Sequence, residues 1–177
     1  MANMKRAVFL DRDGVINRAV VIDGKPYPPH NLAALEIIPG VTDALQSLHD
    51  EGWLLIVVTN QPDVARGAAN RQDVEAINQY LKQCLPIEKF FTCYHDNGDG
   101  CYCRKPLPGA LLAAAKEYGI VLAISYMVGD RWRDIEAGNR AGCKTIFLDC
   151  DYDEKQPENF NHRVRYLAEA VDIILER

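Results

Sequence analysis

The chain has 177 residues, 48% of them hydrophobic and 25% charged, with a net charge of −5. That length fits one domain with a sizeable core, and the mixture excludes a disordered or fibrous chain. The acidic balance argues against a nucleic-acid partner or an acidic lipid surface, since either needs a broad basic face.

Ala7–Leu10 is a short apolar run bounded by acids, the pattern of a buried parallel strand. The interruption by Asp11, Arg12 and Asp13 leaves it too short for a signal peptide or a membrane span, so a cytoplasmic chain is expected. Arg18–Pro39 has no clear periodicity, contains Gly24, Pro26, Pro28 and Pro29, and is expected to be a flap. Val41–Glu51 is apolar at Val41, Ala44, Leu45 and Leu48, which is helical spacing, with Gly52 at its end. Leu54–Val58 reads as a strand, Arg71–Cys84 as a helix, and Phe90–Thr92 as a third strand. Pro108–Tyr118 is an Ala/Leu-rich helix closed by Gly119. Then come strand Ser125–Val128, helix Trp132–Ala141, strand Thr145–Leu148, an irregular stretch Cys150–His162, and helix Leu167–Glu176. This alternation predicts a single α/β domain over residues 1–177, a doubly wound, Rossmann-like parallel sheet with helices on both faces.

In such sheets ligands bind beyond the carboxyl ends of the strands. The residues there are Asp11 and Asp13, Thr59 and Asn60, and Asp130. Asp11 and Asp13 alone read equally well as turn acids, but their company at one edge makes them a site. Gathered carboxylates need a counter-charge, and Mg²⁺ supplies it while accepting a substrate phosphate. Asp130 is the third candidate ligand. Asp134 is either a ligand or an acid that supports one.

The second constellation is Cys93-Tyr94-His95 followed by Cys101-Tyr102-Cys103. Three thiolates and an imidazole complete a tetrahedral Zn²⁺ with no open position, so the metal is structural. The turn residues Asp96–Gly100 let this loop, residues 93–103, fold back. With no export signal, reduced cysteines fit the cytoplasm. Cys84, Cys143 and Cys150 have no ligand spacing and read as packing residues.

The string Asp11-Arg12-Asp13-Gly14-Val15 resembles the first motif of haloacid-dehalogenase-type phosphatases. Thr59 is similar to their second motif, Lys105 to their third, and Gly129-Asp130 with Asp134 to their fourth. The resemblance covers about Ala7 to Leu148 and implies the haloacid-dehalogenase fold. It implies that Asp11 attacks phosphorus, that Asp13 serves as general acid and then base, and that Mg²⁺ sits on Asp11, Asp130 and the Asp13 carbonyl. Thr59, Asn60, Gln61, Arg104 and Lys105 are then the substrate-binding residues. The zinc loop and Thr59–Gly67 narrow the resemblance to D-glycero-D-manno-heptose-1,7-bisphosphate 7-phosphatases and the related histidinol-phosphate phosphatases, which lack a large cap domain. Pro62-Asp63 replaces the usual Ser-Gly of that loop. The resemblance implies hydrolysis of a small phosphorylated sugar by a monomer. Arg66 and Arg131 are candidates for a second phosphate, with solvated arginines as the alternative. A phospho-acceptor receiver-like domain shares the sheet and acidic pocket, but it lacks a zinc loop and does not use the first acid of a D-x-D pair.

Overall fold

The strand β1 (Ala7–Leu10) is fully buried and entirely apolar, as a strand with both faces covered must be. In this computed structural model, which describes residues 4–177, β1 lies inside a six-stranded parallel sheet. The other strands are β4 (Leu54–Asn60), β5 (Lys89–Cys93), β6 (Tyr126–Gly129), β7 (Lys144–Leu148) and β8 (His162–Val164), in the order β5-β4-β1-β6-β7-β8. Side chains alternate along the strands. Val8 and Leu10, with Leu55 and Val57, enter one core layer, while Ala7 and Phe9, with Ile56 and Val58, enter the other.

Five helices cover the two faces. α1 (Val41–Asp50), α2 (Arg71–Cys84) and α5 (Leu167–Leu175) bury Leu45, Leu48, Ile77, Leu81, Val171 and Ile174 on the first. α3 (Gly109–Tyr118) and α4 (Trp132–Ala141) bury Leu111, Ala114, Ala137 and Ala141 on the second. Local chemistry sets the ends. The Asn70 side chain caps α2 by accepting from Gln72 N at 2.9 Å, and Gly119 ends α3 in the left-handed region at φ 69°. No helix among the described residues is long and apolar enough to cross a membrane.

The chain runs from β1 outward through β4 and β5, then crosses to β6 and runs outward the other way. That reversal opens a crevice beside β1 at the carboxyl edge. The flap is more regular than its composition suggests. β2 (Val20–Ile22) and β3 (Lys25–Tyr27) form an antiparallel hairpin around Asp23-Gly24, whose φ values of 50° and 73° match a two-residue primed turn. The stretch after β7 is irregular as expected as far as residue 161, and His162–Val164, which no periodicity marks, then pairs with β7 as the edge strand β8.

Candidate active site and metal loop

Asp11 follows β1, Thr59 and Asn60 end β4, and Asp130 follows β6, so three neighbouring strands bring these residues to one crevice. The Lys105 ammonium joins them from the loop before α3. Lys105 is 2% exposed and donates to Asp11 Oδ1 at 2.8 Å and to the Val58 carbonyl at 2.7 Å. It also pairs with Asp134 Oδ1 at 2.6 Å. Burial works to lower its pKa, but the charges of Asp11 and Asp134 outweigh that and raise it.

Asp11, Asp130 and Asp134 each offer an oxygen within 4.8 Å of the others. Three buried carboxylates facing one ammonium leave an excess of negative charge. The two C-terminal acids differ in what satisfies them. Asp134 pairs with Lys105 and accepts from Arg131 N at 3.0 Å through Oδ2, capping the start of α4. Both oxygens of Asp130 are buried without a hydrogen-bond partner. Leaving a carboxylate in that state costs several kcal/mol. Burial, then the charges of Asp11 and Asp134, push the Asp130 carboxyl well above the usual range. Burial and the Asp11 charge push Asp134 up to about 6. Hard oxygen donors with two orphaned atoms fit Mg²⁺, with Asp130 as the open ligand and Asp134 holding Lys105. Gly14 is needed beside them. Its φ is +91°, and a Cβ there would lie 1.9 Å from Asp130 Oδ2.

A stability prediction follows. A carboxyl whose pKa is raised on folding makes the folded state bind more protons than the unfolded one. Magnesium-free protein with its zinc retained should therefore lose stability as pH rises from about 4 to about 6. At neutral pH, Mg²⁺ at a hundredfold excess over its Kd should restore about 2.7 kcal/mol, or about 5–10 °C in Tm. Asp130→Asn should abolish that shift without lowering the metal-free Tm. Thermal melting across pH checks both.

Asp13 points into the same cleft with a different environment. Its carboxylate accepts from Arg12 Nε at 3.1 Å, Asn17 Nδ2 at 3.0 Å and Gln61 Nε2 at 2.8 Å. Gln61 is 1% exposed and its amide also donates to Thr59 Oγ1 at 2.9 Å. It therefore braces Asp13 and Thr59 from beneath instead of facing the cleft. Asn60 donates to the Lys105 carbonyl at 3.0 Å and accepts from Lys105 N at 3.1 Å, so its amide fixes the Lys105 backbone.

The cleft holds about 240 Å³ and extends from Asp11 and Asp13 to a basic rim. Two rim arginines are occupied. Arg66 grips Asp96 of the metal loop through Nε at 2.8 Å and Nη2 at 2.7 Å, and also reaches Asp63. Arg131 forms a two-pronged pair with Glu154. Arg104 donates to Asn97 Oδ1 at 3.0 Å and to the His95 carbonyl at 3.3 Å, without a carboxylate. Arg133, which no sequence motif marks, lines the cleft and makes no ion pair among the described residues; its guanidinium lies over the Trp132 ring. Burial, then the nearby charges of Arg104 and Arg131, lower its pKa, which places three cations close together. The only sequence sign of Arg133 was its place in Arg131-Trp132-Arg133, on the turn that carries Asp130 and Asp134.

Beside the rim, Cys93, His95, Cys101 and Cys103 converge. Cys93 Sγ is 3.7 Å from Cys101 Sγ and 3.3 Å from Cys103 Sγ, and His95 Nδ1 is 3.6 Å and 3.5 Å from Cys93 and Cys103. A tetrahedron with zinc–sulfur bonds of about 2.3 Å and zinc–nitrogen bonds of about 2.0 Å has edges of about 3.5–3.8 Å. The donor set and its spacing fit a zinc ion with no open position.

Acids gathered past the first and fourth core strands, tied by one buried lysine, define a haloacid dehalogenase-like hydrolase. The chain belongs to that family: the model of haloacid dehalogenase-like hydrolases matches residues 29–142. Among its relatives, the D-glycero-beta-D-manno-heptose-1,7-bisphosphate 7-phosphatase of Helicobacter pylori is 34% identical, covering 97% of this chain and 99% of that protein. The D-glycero-alpha-D-manno-heptose-1,7-bisphosphate 7-phosphatase of Burkholderia mallei is 38% identical, covering 84% of this chain and 82% of that one. The crystal structure of D,D-heptose 1,7-bisphosphate phosphatase from B. bronchiseptica, complexed with magnesium and phosphate, superposes with a TM-score of 0.80. It is 29% identical and covers 97% of this chain and 98% of that chain. The chain is thus a phosphoric monoester hydrolase with a haloacid dehalogenase-like fold.

Proposed function

We propose that the enzyme removes the 7-phosphate from D-glycero-D-manno-heptose 1,7-bisphosphate. The observation that carries this reading is the two-ended cleft: acids and Lys105 at the floor, and Arg104 and Arg133 without carboxylate partners at the rim. A substrate with two phosphates matches both ends. Relatives over nearly the whole chain bear that name.

In this reading Asp11 attacks phosphorus and forms an aspartyl-phosphate, its carboxylate oriented by Lys105 at Oδ1. Asp13 gives a proton to the departing sugar oxygen and then takes one from the water that cleaves the intermediate. Thr59 accepts from Gln61, which leaves its hydroxyl proton free to donate to a phosphoryl oxygen. Lys105 supplies charge to the same group. Mg²⁺, held by Asp11, Asp130 and the Asp13 carbonyl, would neutralise charge on the phosphoryl oxygens. Zn²⁺ on the four-residue loop would be structural. Every residue of the site comes from one chain, so the reading needs no second copy. The thiolate-rich loop suits the reducing cytoplasm.

The second phosphate falls to Arg133 and Arg104, because Arg66 and Arg131 already bind Asp96 and Glu154. A hydrogen bond to a charged group contributes about 1.5–3 kcal/mol, so Arg133→Ala should raise KM for the bisphosphate about 10- to 100-fold. It should change KM little for a monophosphate of similar size. Phosphate release from both heptose bisphosphate anomers and from histidinol phosphate tests the assignment. Preference for histidinol phosphate would overturn the heptose reading.

A further inference from the structure

Arg12 is the largest fully buried side chain among the described residues, at 0% exposure, and it lies between the two reactive acids in sequence. A guanidinium without water needs a carboxylate and full hydrogen bonding. Its one carboxylate partner among the described residues is Asp13. Arg12 donates through Nε to Asp13 Oδ1 at 3.1 Å, and through Nη2 to Oδ1 at 3.0 Å and Oδ2 at 3.1 Å. The remaining arm is anchored elsewhere: Nη1 donates to Asn78 Oδ1 on α2 at 2.9 Å. Asn78 in turn donates to Thr92 Oγ1 on β5 at 3.1 Å. The Arg12 carbonyl accepts from Ile16 N at 2.9 Å, which ties the turn carrying Asp13 into one piece.

We propose that Arg12, anchored by Asn78, is a positioning residue that aims Asp13 at the leaving oxygen. The proposal rests on the reading of Asp13 as general acid. In the step concerned, the bond from Asp11 oxygen to phosphorus forms and the bond from phosphorus to the sugar oxygen breaks. That oxygen takes the Asp13 proton and leaves as the neutral alcohol. A planar guanidinium fork fixes both the position and the plane of a carboxylate, which an ammonium point charge does not. Two amides from Asn17 and Gln61 complete the cradle, and Asp13 keeps one side open to the cleft.

A leaving group that needs no proton separates positioning from a structural role. Arg12→Met should lower kcat on the heptose bisphosphate about 10- to 100-fold, since general acid catalysis contributes about 10²–10⁴ and a misplaced group forfeits much of it. KM should stay within about threefold, as should the first-turnover release of p-nitrophenol from p-nitrophenyl phosphate. Asn78→Leu, which removes only the anchor, should give the same pattern with a smaller loss. Equal losses on both leaving groups, a loss carried by KM, or an unchanged kcat would overturn the proposal. If Arg12→Met does not fold, Asn78→Leu decides by the same criteria. Asp13→Asn is the reference. If it also fails to discriminate between leaving groups, the acid role of Asp13 falls. If it discriminates and Arg12→Met does not, only the role of Arg12 falls.

Discussion

Asp11→Asn should reduce kcat on the sugar bisphosphate by about 10⁴–10⁶-fold, the order of loss seen when the nucleophile is removed from an enzyme that works through a covalent intermediate. An amide oxygen is a poor nucleophile, and no neighbouring group can replace it. Asp13 is held by Arg12, Asn17 and Gln61, Asp134 by Lys105 and the start of α4, and Asp130 sits at the metal end. The fold should survive the change. Asp11→Asn removes one of three mutually repelling carboxylates, and Lys105 keeps Asp134 as a partner at 2.6 Å. Melting should therefore show a folded, zinc-containing protein, and rapid acid quench with labelled substrate should find no phosphoenzyme. Residual turnover above about one part in a thousand would move the nucleophile elsewhere.

The second large effect belongs to the metal loop. Cys101→Ser should lose the single zinc expected per chain by elemental analysis. Structural zinc contributes on the order of 10 kcal/mol in small zinc domains, so losing part of that should lower Tm by at least about 10 °C. Activity should fall as well. The loop supplies Asn97 and the His95 carbonyl that aim Arg104, and Asp96 that holds Arg66. Its last cysteine leads directly into Arg104 and Lys105. Displacing those groups by an ångström costs about 100-fold in rate. A zinc-free protein with unchanged Tm and turnover would show the loop to be incidental.

Much of this architecture was legible because long amphipathic segments carry strong periodicity. The helices Arg71–Cys84 and Trp132–Ala141 appear with the expected bounds, and so does the strand Ala7–Leu10. The carboxyl-edge rule then brings Asp11, Thr59 and Asp130 together from the strand order alone. Short elements were harder. The β2–β3 hairpin carried its own signal, Asp23-Gly24 after Val20-Val21-Ile22, but Pro26 inside β3 concealed it. β8 is three residues long and begins His-Arg, so nothing periodic marks it. The roles of the rim arginines are hard to read for a different reason. Arg66 pairs with nearby Asp63 but is gripped by Asp96, 30 residues away, and Arg131 by Glu154, 23 residues away, and only folding brings those two acids close. Arg133 is silent in the sequence because a lone arginine in a helix turn has no distinguishing pattern apart from its spatial neighbours.

The hairpin forms a sheet of its own and shares no strand pairing with the six-stranded one. Its base is pinned by Arg18 N to the Glu36 carbonyl at 2.8 Å and Ile38 N to the Ile16 carbonyl at 3.0 Å, and its tip by Asp153 N to the Gly24 carbonyl at 2.8 Å. Val20, Val21 and Ile22 are exposed, so the core does not depend on them, while Lys25 and Tyr27 reach the cleft. Exposed positions of this kind tolerate change within about 0.5 kcal/mol. Evolution can therefore redraw the rim by exchanging the exposed strand residues on either side of Asp23-Gly24 at little folding penalty, with the turn itself kept by its positive φ values, and leave the chemical floor beneath it untouched. A laboratory library confined to residues 20–22 and 25–27, with Asp23 and Gly24 kept, has the same freedom to explore new phosphate esters.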